Sequence, residues 1–199
     1  MKNIFLVLGK PGSGKSTVSE LAAARLGNTY HFSLGEEMRA RGLHGKPSPH
    51  AAEIQQYAEE LRLHKPLPPH LVSLVVEECI LTSSAPTVIV DGYPQYTDRL
   101  PGFHETLERV DGNVLAVCEI RISDELAYQR LGGREQRIAD VQEDEAFIMK
   151  RIDGYYKNAV PTIEALTAQY SLSVIDGTQS KESVAADLVA VITGYSPAA

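Results

Sequence analysis

The sequence predicts an α/β fold: a five-stranded parallel sheet with helices on both faces. Three observations lead there. Short runs that are apolar or β-branched at every position, such as Ile4 to Leu8 and Thr87 to Val90, suit strands buried on both sides. Segments with helical spacing separate these runs, as the crossovers of a parallel sheet require. Between the first run and the first helix lies a loop dense in glycine, Gly9-Lys10-Pro11-Gly12-Ser13-Gly14-Lys15.

Asn3 to Leu8 is the first strand, and Ser16 to Leu26 reads as a helix stopped by Gly27. Tyr30 to Ser33 is a short strand, followed by a helix from Gly35 to Arg41. Gly42 to Pro49, rich in Gly, Pro and His, is loop. Helical patterns return over His50 to Leu63 and, past Pro66 and Pro68, over Pro69 to Leu81. Thr87 to Val90 is the third strand and ends in Asp91-Gly92. Val114 to Ile122 is the fourth, after which Ser123 is placed to cap a helix through Leu131. Gly132 to Val141 is a polar loop rich in arginine. A long helix is expected from there to about Tyr170, kinked or split by Pro161. Leu172 to Ile175 is the last strand and Ser180 to Ile192 the last helix.

Gly9 to Ser16 fits G-x-x-x-x-G-K-[ST] and stands between strand and helix, where a phosphate-binding loop must stand. Gly9, Gly12 and Gly14 let the backbone wrap tightly, with Pro11, Ser13 and Thr17 in the same turn, so that N–H groups point at a phosphate. Lys15 adds a cation, the Ser16 hydroxyl is placed to ligate Mg²⁺, and the following helix adds the positive end of its dipole. The pattern predicts a P-loop NTPase-type domain that binds a nucleoside triphosphate with Mg²⁺.

The 199 residues allow one domain, and a hydrophobic content of 43% can fill its core. A formal net charge of −7 argues against nucleic acid or an anionic membrane as the main partner, since both reward a basic surface. Cys79 and Cys118 suit reduced core thiols better than a disulfide or a metal site. Met1-Lys2-Asn3 leads straight into the first strand, so no signal peptide is expected, and no apolar run reaches the length of a membrane helix. A cytoplasmic monomer acting on small-molecule nucleotides is the expectation.

Two features extend nucleotide binding to phosphoryl transfer. Asp91 closes a buried strand at its carboxyl end, where ligands of open α/β sheets collect, and can hold Mg²⁺ opposite Ser16; the alternative is an Asp that only starts an Asp-Gly turn. Arg130, Arg134, Arg137 and Arg151 can aim cations at the charge that spreads over a transferring phosphoryl group. Arg130 and Arg134 share one helix face. A solvated, salt-bridged surface beside Glu143, Asp144 and Glu145 is the alternative. His44, His50, His64 and His70 lack a metal-site spacing and are expected at the surface.

Over nearly its whole length the chain resembles the nucleoside monophosphate kinases, most of all the adenylate kinases with a short lid. Ser33-Leu34-Gly35-Glu36-Glu37-Met38-Arg39 is similar to the family's S-x-G-[DE]-x-x-R element, and Asp91-Gly92-Tyr93-Pro94 to its D-G-[FY]-P-R motif. Arg130 to Arg137 resembles the start of the lid, Lys150-Arg151 the basic pair after it, and Val174 to Thr178 the last strand and the turn beside the donor adenine. The resemblance implies ATP + AMP = 2 ADP, with Lys15, Arg130, Arg134, Arg137 and Arg151 catalytic. Arg130, Gly177 and Gln179 would border the donor; Ser33, Leu34, Arg39 and Gly92 would border the acceptor. It also implies a core of residues 1–32, 64–131 and 142–194, an acceptor-binding insert at 33–63 and a lid at 132–141.

Three positions depart from the family, all on the acceptor side. Gln95 stands where the motif ends in arginine. Arg99 stands where adenylate kinases read the adenine edge with glutamine, and Leu34 replaces the usual Thr or Ala. Arg99 is expected either to supply the second phosphate clamp, with Gln95 reading the base, or to be a solvated surface residue. Alternatives to an AMP kinase are a UMP/CMP-type kinase, another P-loop small-molecule kinase, or a non-catalytic ATP-binding sensor.

Overall fold

The computed structural model describes residues 1–132 and 145–195. Within them, five parallel strands form a sheet in the order β2-β3-β1-β4-β5. The strands are β1 (Lys2–Gly9), β2 (Thr29–Ser33), β3 (Thr87–Asp91), β4 (Gly112–Arg121) and β5 (Leu172–Asp176). The chain leaves β1 for the edge at β2, returns to β3, then crosses to β4 on the other side of β1. This reversal opens a crevice at the carboxyl ends of β1 and β3, where such sheets bind ligands.

The first half of the chain supplies α1 (Lys15–Leu26), α2 (Leu34–Gly42), α3 (Ala51–Gln55), α4 (Ala58–Arg62), α5 (Pro69–Thr82) and α6 (Leu100–Arg109). The second half supplies α7 (Asp124–Gly132), α8 (Glu145–Gly154), α9 (Val160–Thr167) and α10 (Lys181–Tyr195). None of the described helices is long and apolar enough to cross a membrane.

Successive side chains of a strand point to opposite faces, and β1 therefore feeds two cores. Ile4, Leu6 and Leu8 join Val88 and Val90 with residues of α5, α6 and α9; Phe5 and Val7 join Ile89 and Ala116 with residues of α1 and α10. The thiols of Cys79 and Cys118 lie one in each core, free, and burial pushes both up to about 12. A third, smaller cluster of Ile122, Ala127, Leu131, Ile148 and Ile152 joins α7 to α8. At the edges the two-faced burial expected of every strand does not hold. In β5, Leu172 and Val174 are exposed, because no further strand or helix covers them among the described residues.

Two expected helices are broken. His50 to Leu63 is not one helix but α3 and α4, each held by a single buried apolar residue, Ile54 and Leu61. Short helices depend on such packing, and one anchor apiece leaves the Gln56-Tyr57 joint unenforced. The long helix toward Tyr170 divides before Pro161, at a π-helical turn over Tyr155–Ala159. Pro161 occupies the first turn of α9, where a missing N–H is tolerated, while its ring would crowd the carbonyl four residues earlier; the chain widens there. After Tyr96 the chain makes a 3₁₀ turn, Thr97–Arg99, leading into α6.

One buried ion cluster fastens α2 to α5. Arg41, 2% exposed, donates to Glu37 on its own helix and to Glu78 Oε1 at 3.0 Å. Lys46 reaches Glu37 at 2.5 Å and Ser48 donates to Glu78 at 2.6 Å, so the loop after α2 closes on the same carboxylates.

Candidate active site

The chain turns out of β1 in almost no space. A Cβ at Gly9 (φ +154°) would stand 2.6 Å from the Ile120 carbonyl oxygen of β4, and one at Gly12 (φ +84°) 2.9 Å from that of Ala127 in α7. Only glycine lets the loop lie this close to both elements. α1 then begins at Lys15, which brings its positive dipole end to the loop.

Opposite the loop, β3 delivers Asp91. It is fully buried, accepts a hydrogen bond from Ser16 Oγ at Oδ2, and stands 3.9 Å from His31 Nε2 on β2. Burial pushes its pKa up, but the His31 ring, the Lys15 charge and the Ser16 hydroxyl outweigh that and hold it below the ordinary value. Oδ1 is buried with no hydrogen-bond partner among the described residues. A hydroxyl and an ionised, half-satisfied carboxylate are the hard oxygen donors Mg²⁺ takes, so the residues present fit that ion.

Arg130 comes from the last turn of α7. Its Nη2 donates to the Gly177 carbonyl at 3.0 Å, and Nη1 stands 3.5 Å from the carbonyls of Gly12 and Ser13. Gln179 lies outside this set, exposed just before α10 and donating to Asp187 of that helix at 3.0 Å. Pro11 and Ser13 lie in the loop, and Thr17, exposed on α1, lines a cleft of about 300 Å³ with Ser16, Glu20, His31 and Ser33.

On the other side of the crevice, a Cβ on Gly92 would meet Gln95 Nε2 at 3.2 Å and Lys15 Cε at 3.9 Å. Gln95 and the stem of the loop lysine thus both lie close to Gly92. Arg39 is half-buried along Gly35; burial lowers its pKa, with Glu36 opposing. Leu34 packs into the core, 5% exposed. Arg99 is 6% exposed, which overturns the surface alternative for it; its guanidinium lies 4.4 Å from the Tyr96 ring centre.

The structure thus brings Gly9 to Ser16, Asp91, Arg130 and Gly177 together around the loop, with Gln95 close to Gly92, and places Ser33 and Arg39 where β2 passes into α2. Arg99 is set back in the interior. Arg151 is half-buried on α8; Arg134, Arg137 and most of the expected lid lie outside the described residues. Three residues carried no role in the sequence. His31 approaches Asp91. Lys10, buried, points away from the loop's concave side to Asp124 and Tyr156. His64, expected at the surface, is half-buried at φ +48° with its ring 5.7 Å from that of Phe147, and burial, then Arg151 and Arg39, lower its pKa to about 4.

Comparison with known proteins agrees with this geometry. The family model described as adenylate kinase matches residues 7–171. An adenylate kinase of Campylobacter lari is 28% identical over 190 residues, covering 94% of this chain and 95% of that protein. One from Nitratiruptor sp. is 28% identical over 194 residues, with 96% of each covered. One from Sulfurovum sp. is 30% identical over 145 residues, 72% of this chain and 71% of its own. With its phosphate loop, Asp91 and Arg130 gathered at one crevice, the chain belongs to the adenylate kinase family, ATP-dependent nucleoside monophosphate kinases built on a P-loop α/β sheet.

Proposed function

We propose that this chain moves the γ-phosphoryl group of Mg·ATP to AMP, giving two ADP. The observation that carries the reading is the Ser16–Asp91 hydrogen bond with the Lys15 charge beside it, at the carboxyl ends of β1 and β3. The loop backbone with Lys15 holds the donor phosphates. Ser16 and Asp91 hold Mg²⁺, which when bound screens the charge between the β- and γ-phosphates. Arg130 sits at the donor with Gly177 and Gln179 bordering the base, and Arg151, with Arg134 and Arg137 from the lid at 132–141, neutralises the transition state as the lid excludes water.

Residues 33–63 form the acceptor insert, with Ser33 and Leu34 at its entrance and Arg39 on the phosphate. Arg99 supplies the second clamp from the interior, and Gln95 contacts the base. Support for that assignment is a guanidinium at 6% exposure with no ion pair or hydrogen bond among the described residues: a buried cation of that kind is stabilised by an incoming dianion. The chain works as a cytoplasmic monomer, a reading supported by its acidic balance and two buried free thiols.

A coupled assay with ATP and each of AMP, CMP, UMP, dAMP, GMP and dTMP tests the proposal. AMP should give the highest kcat/KM. Preference for UMP or CMP would move the acceptor assignment, and ATP binding without turnover of any acceptor would leave a sensor.

A further inference from the structure

A second lysine of the phosphate loop is used in a way the reaction does not require. Lys10 follows β1 directly and is 6% exposed. Its ammonium donates to Asp124 Oδ1 and, at 2.9 Å, to the Tyr156 hydroxyl, which itself donates to the same Asp124 oxygen at 2.8 Å. The ammonium also lies 4.9 Å from the Tyr156 ring centre and 5.8 Å from that of Tyr155. Those two tyrosines open the π-helical turn, a distortion common at functional sites.

The three partners come from three separate stretches of chain. Asp124 is the first residue of α7, whose last turn brings Arg130 onto the carbonyls of Gly12, Ser13 and Gly177. Tyr156 follows α8, which carries Arg151. We propose that Lys10 is a positioning residue that seats α7 and the π-helical turn after α8 on the phosphate loop, and so sets where Arg130 and Arg151 stand relative to the donor phosphates.

Three features support this over a merely structural pair. The Ile122–Leu131–Ile148–Ile152 cluster already binds α7 to α8 by apolar contact, so cohesion of the two helices does not need Lys10. What Lys10 adds is registration of that pair against the loop. Gly12 packs flat on Ala127, so any sliding of α7 is felt by the loop at once. Burial pulls the Lys10 pKa down, yet Asp124 and Tyr156 keep it above the ordinary value, so the tie persists through neutral pH.

This inference rests on the kinase reading for its kinetic consequence but not for its geometry, and the test separates the two. Lys10→Met keeps the unbranched stem and removes the charge; Tyr156→Phe removes one hydroxyl from a half-exposed ring. In Lys10→Met, kcat should fall about ten-fold or more and the KM for ATP should rise, since small misplacements of catalytic groups are costly. The KM for AMP should stay within about two-fold, because no acceptor contact is touched. Amide exchange over 145–159 in the free protein should speed up, and Tyr156→Phe should move all three readouts the same way by less. Wild-type kcat, ATP KM and exchange in folded Lys10→Met would overturn the proposal, as would an equal rise in both KM values. Should Lys10→Met not fold, unchanged turnover and exchange in Tyr156→Phe would overturn it. Wild-type protein inactive on every acceptor would sink the kinase reading alone, leaving exchange in the free protein to decide on Lys10.

Discussion

On the donor side of the crevice the basic side chains are already engaged. Lys10 is held by Asp124 and Tyr156, and Arg130 by backbone carbonyls of the loop and of the turn after β5. On the acceptor side neither Arg39 nor Arg99 makes an ion pair or a hydrogen bond among the described residues, and burial lowers the pKa of both. Arg99 has an aromatic face where a carboxylate would be expected. On the function proposed above, the donor half would be preorganised around the place where charge develops, which is where electrostatic catalysis draws its strength. The acceptor half would then offer a phosphate dianion two cations not already spent on a neighbour.

Lys15→Met should break the donor half most severely. It should lower kcat by about 10²–10³-fold, the usual effect of removing one preorganised group facing the transition state. Steady-state kinetics beside a melting curve would show it; a comparable fall in Tm would mean the lysine serves folding instead.

Arg99→Ala tests the acceptor half. It should raise the KM for AMP or lower kcat by one to two orders of magnitude, about 1.5–3 kcal/mol for a charge-assisted hydrogen bond, and Gln95→Arg in that background should restore part of the loss. Arg99→Met should be at least as stable in urea as the wild type, because a buried cation without a counter-charge is removed. Unchanged AMP kinetics together with lower stability would show that Arg99 serves packing alone.

The α2–α5 ion cluster marks the limit of the contrast, since there both terminal nitrogens of Arg41 meet carboxylates. Arg41→Met should cost about 2 kcal/mol, below the range for a completely buried pair because both carboxylates retain some access to water, seen as a lower urea midpoint at constant m. Burial pushes Glu37 and Glu78 up, but Lys46 with Arg41, and Ser48 with Arg41, hold both below the ordinary 4.5. Their contribution is therefore complete above that value and is lost as pH falls through the lower folded values. The Arg41→Met variant should show a shallower loss over that acid range.

The smallest effect is expected at His64→Gly. Relief of the left-handed backbone should nearly cancel the lost contact with Phe147 and the freer unfolded chain, leaving a change under about 1 kcal/mol by denaturant titration. A larger loss would place His64 among the residues that hold the insert against α8.

The sequence alone determined what consecutive residues can encode. The unbroken apolar run of β1 predicts a strand between two cores, the spacing of Gly9 to Ser16 predicts the loop, and Asp91 at a strand end predicts the carboxylate that meets Ser16. Each depends on period, on backbone freedom or on position within one element, and those are local properties. Tertiary structure decided the rest. Lys10 finds its partners 114 and 146 residues away, and nothing in its neighbours specifies them. Arg99 is interior because the start of α6 turns it onto Tyr96, not because of its own polarity, which argues for the surface. The break at Tyr155–Ala159 follows from the local Pro161, but that it sets both tyrosines against Lys10 is visible only in the fold. Burial and pairing belong to contacts across the fold; a sequence states which groups need partners, and only packing assigns them.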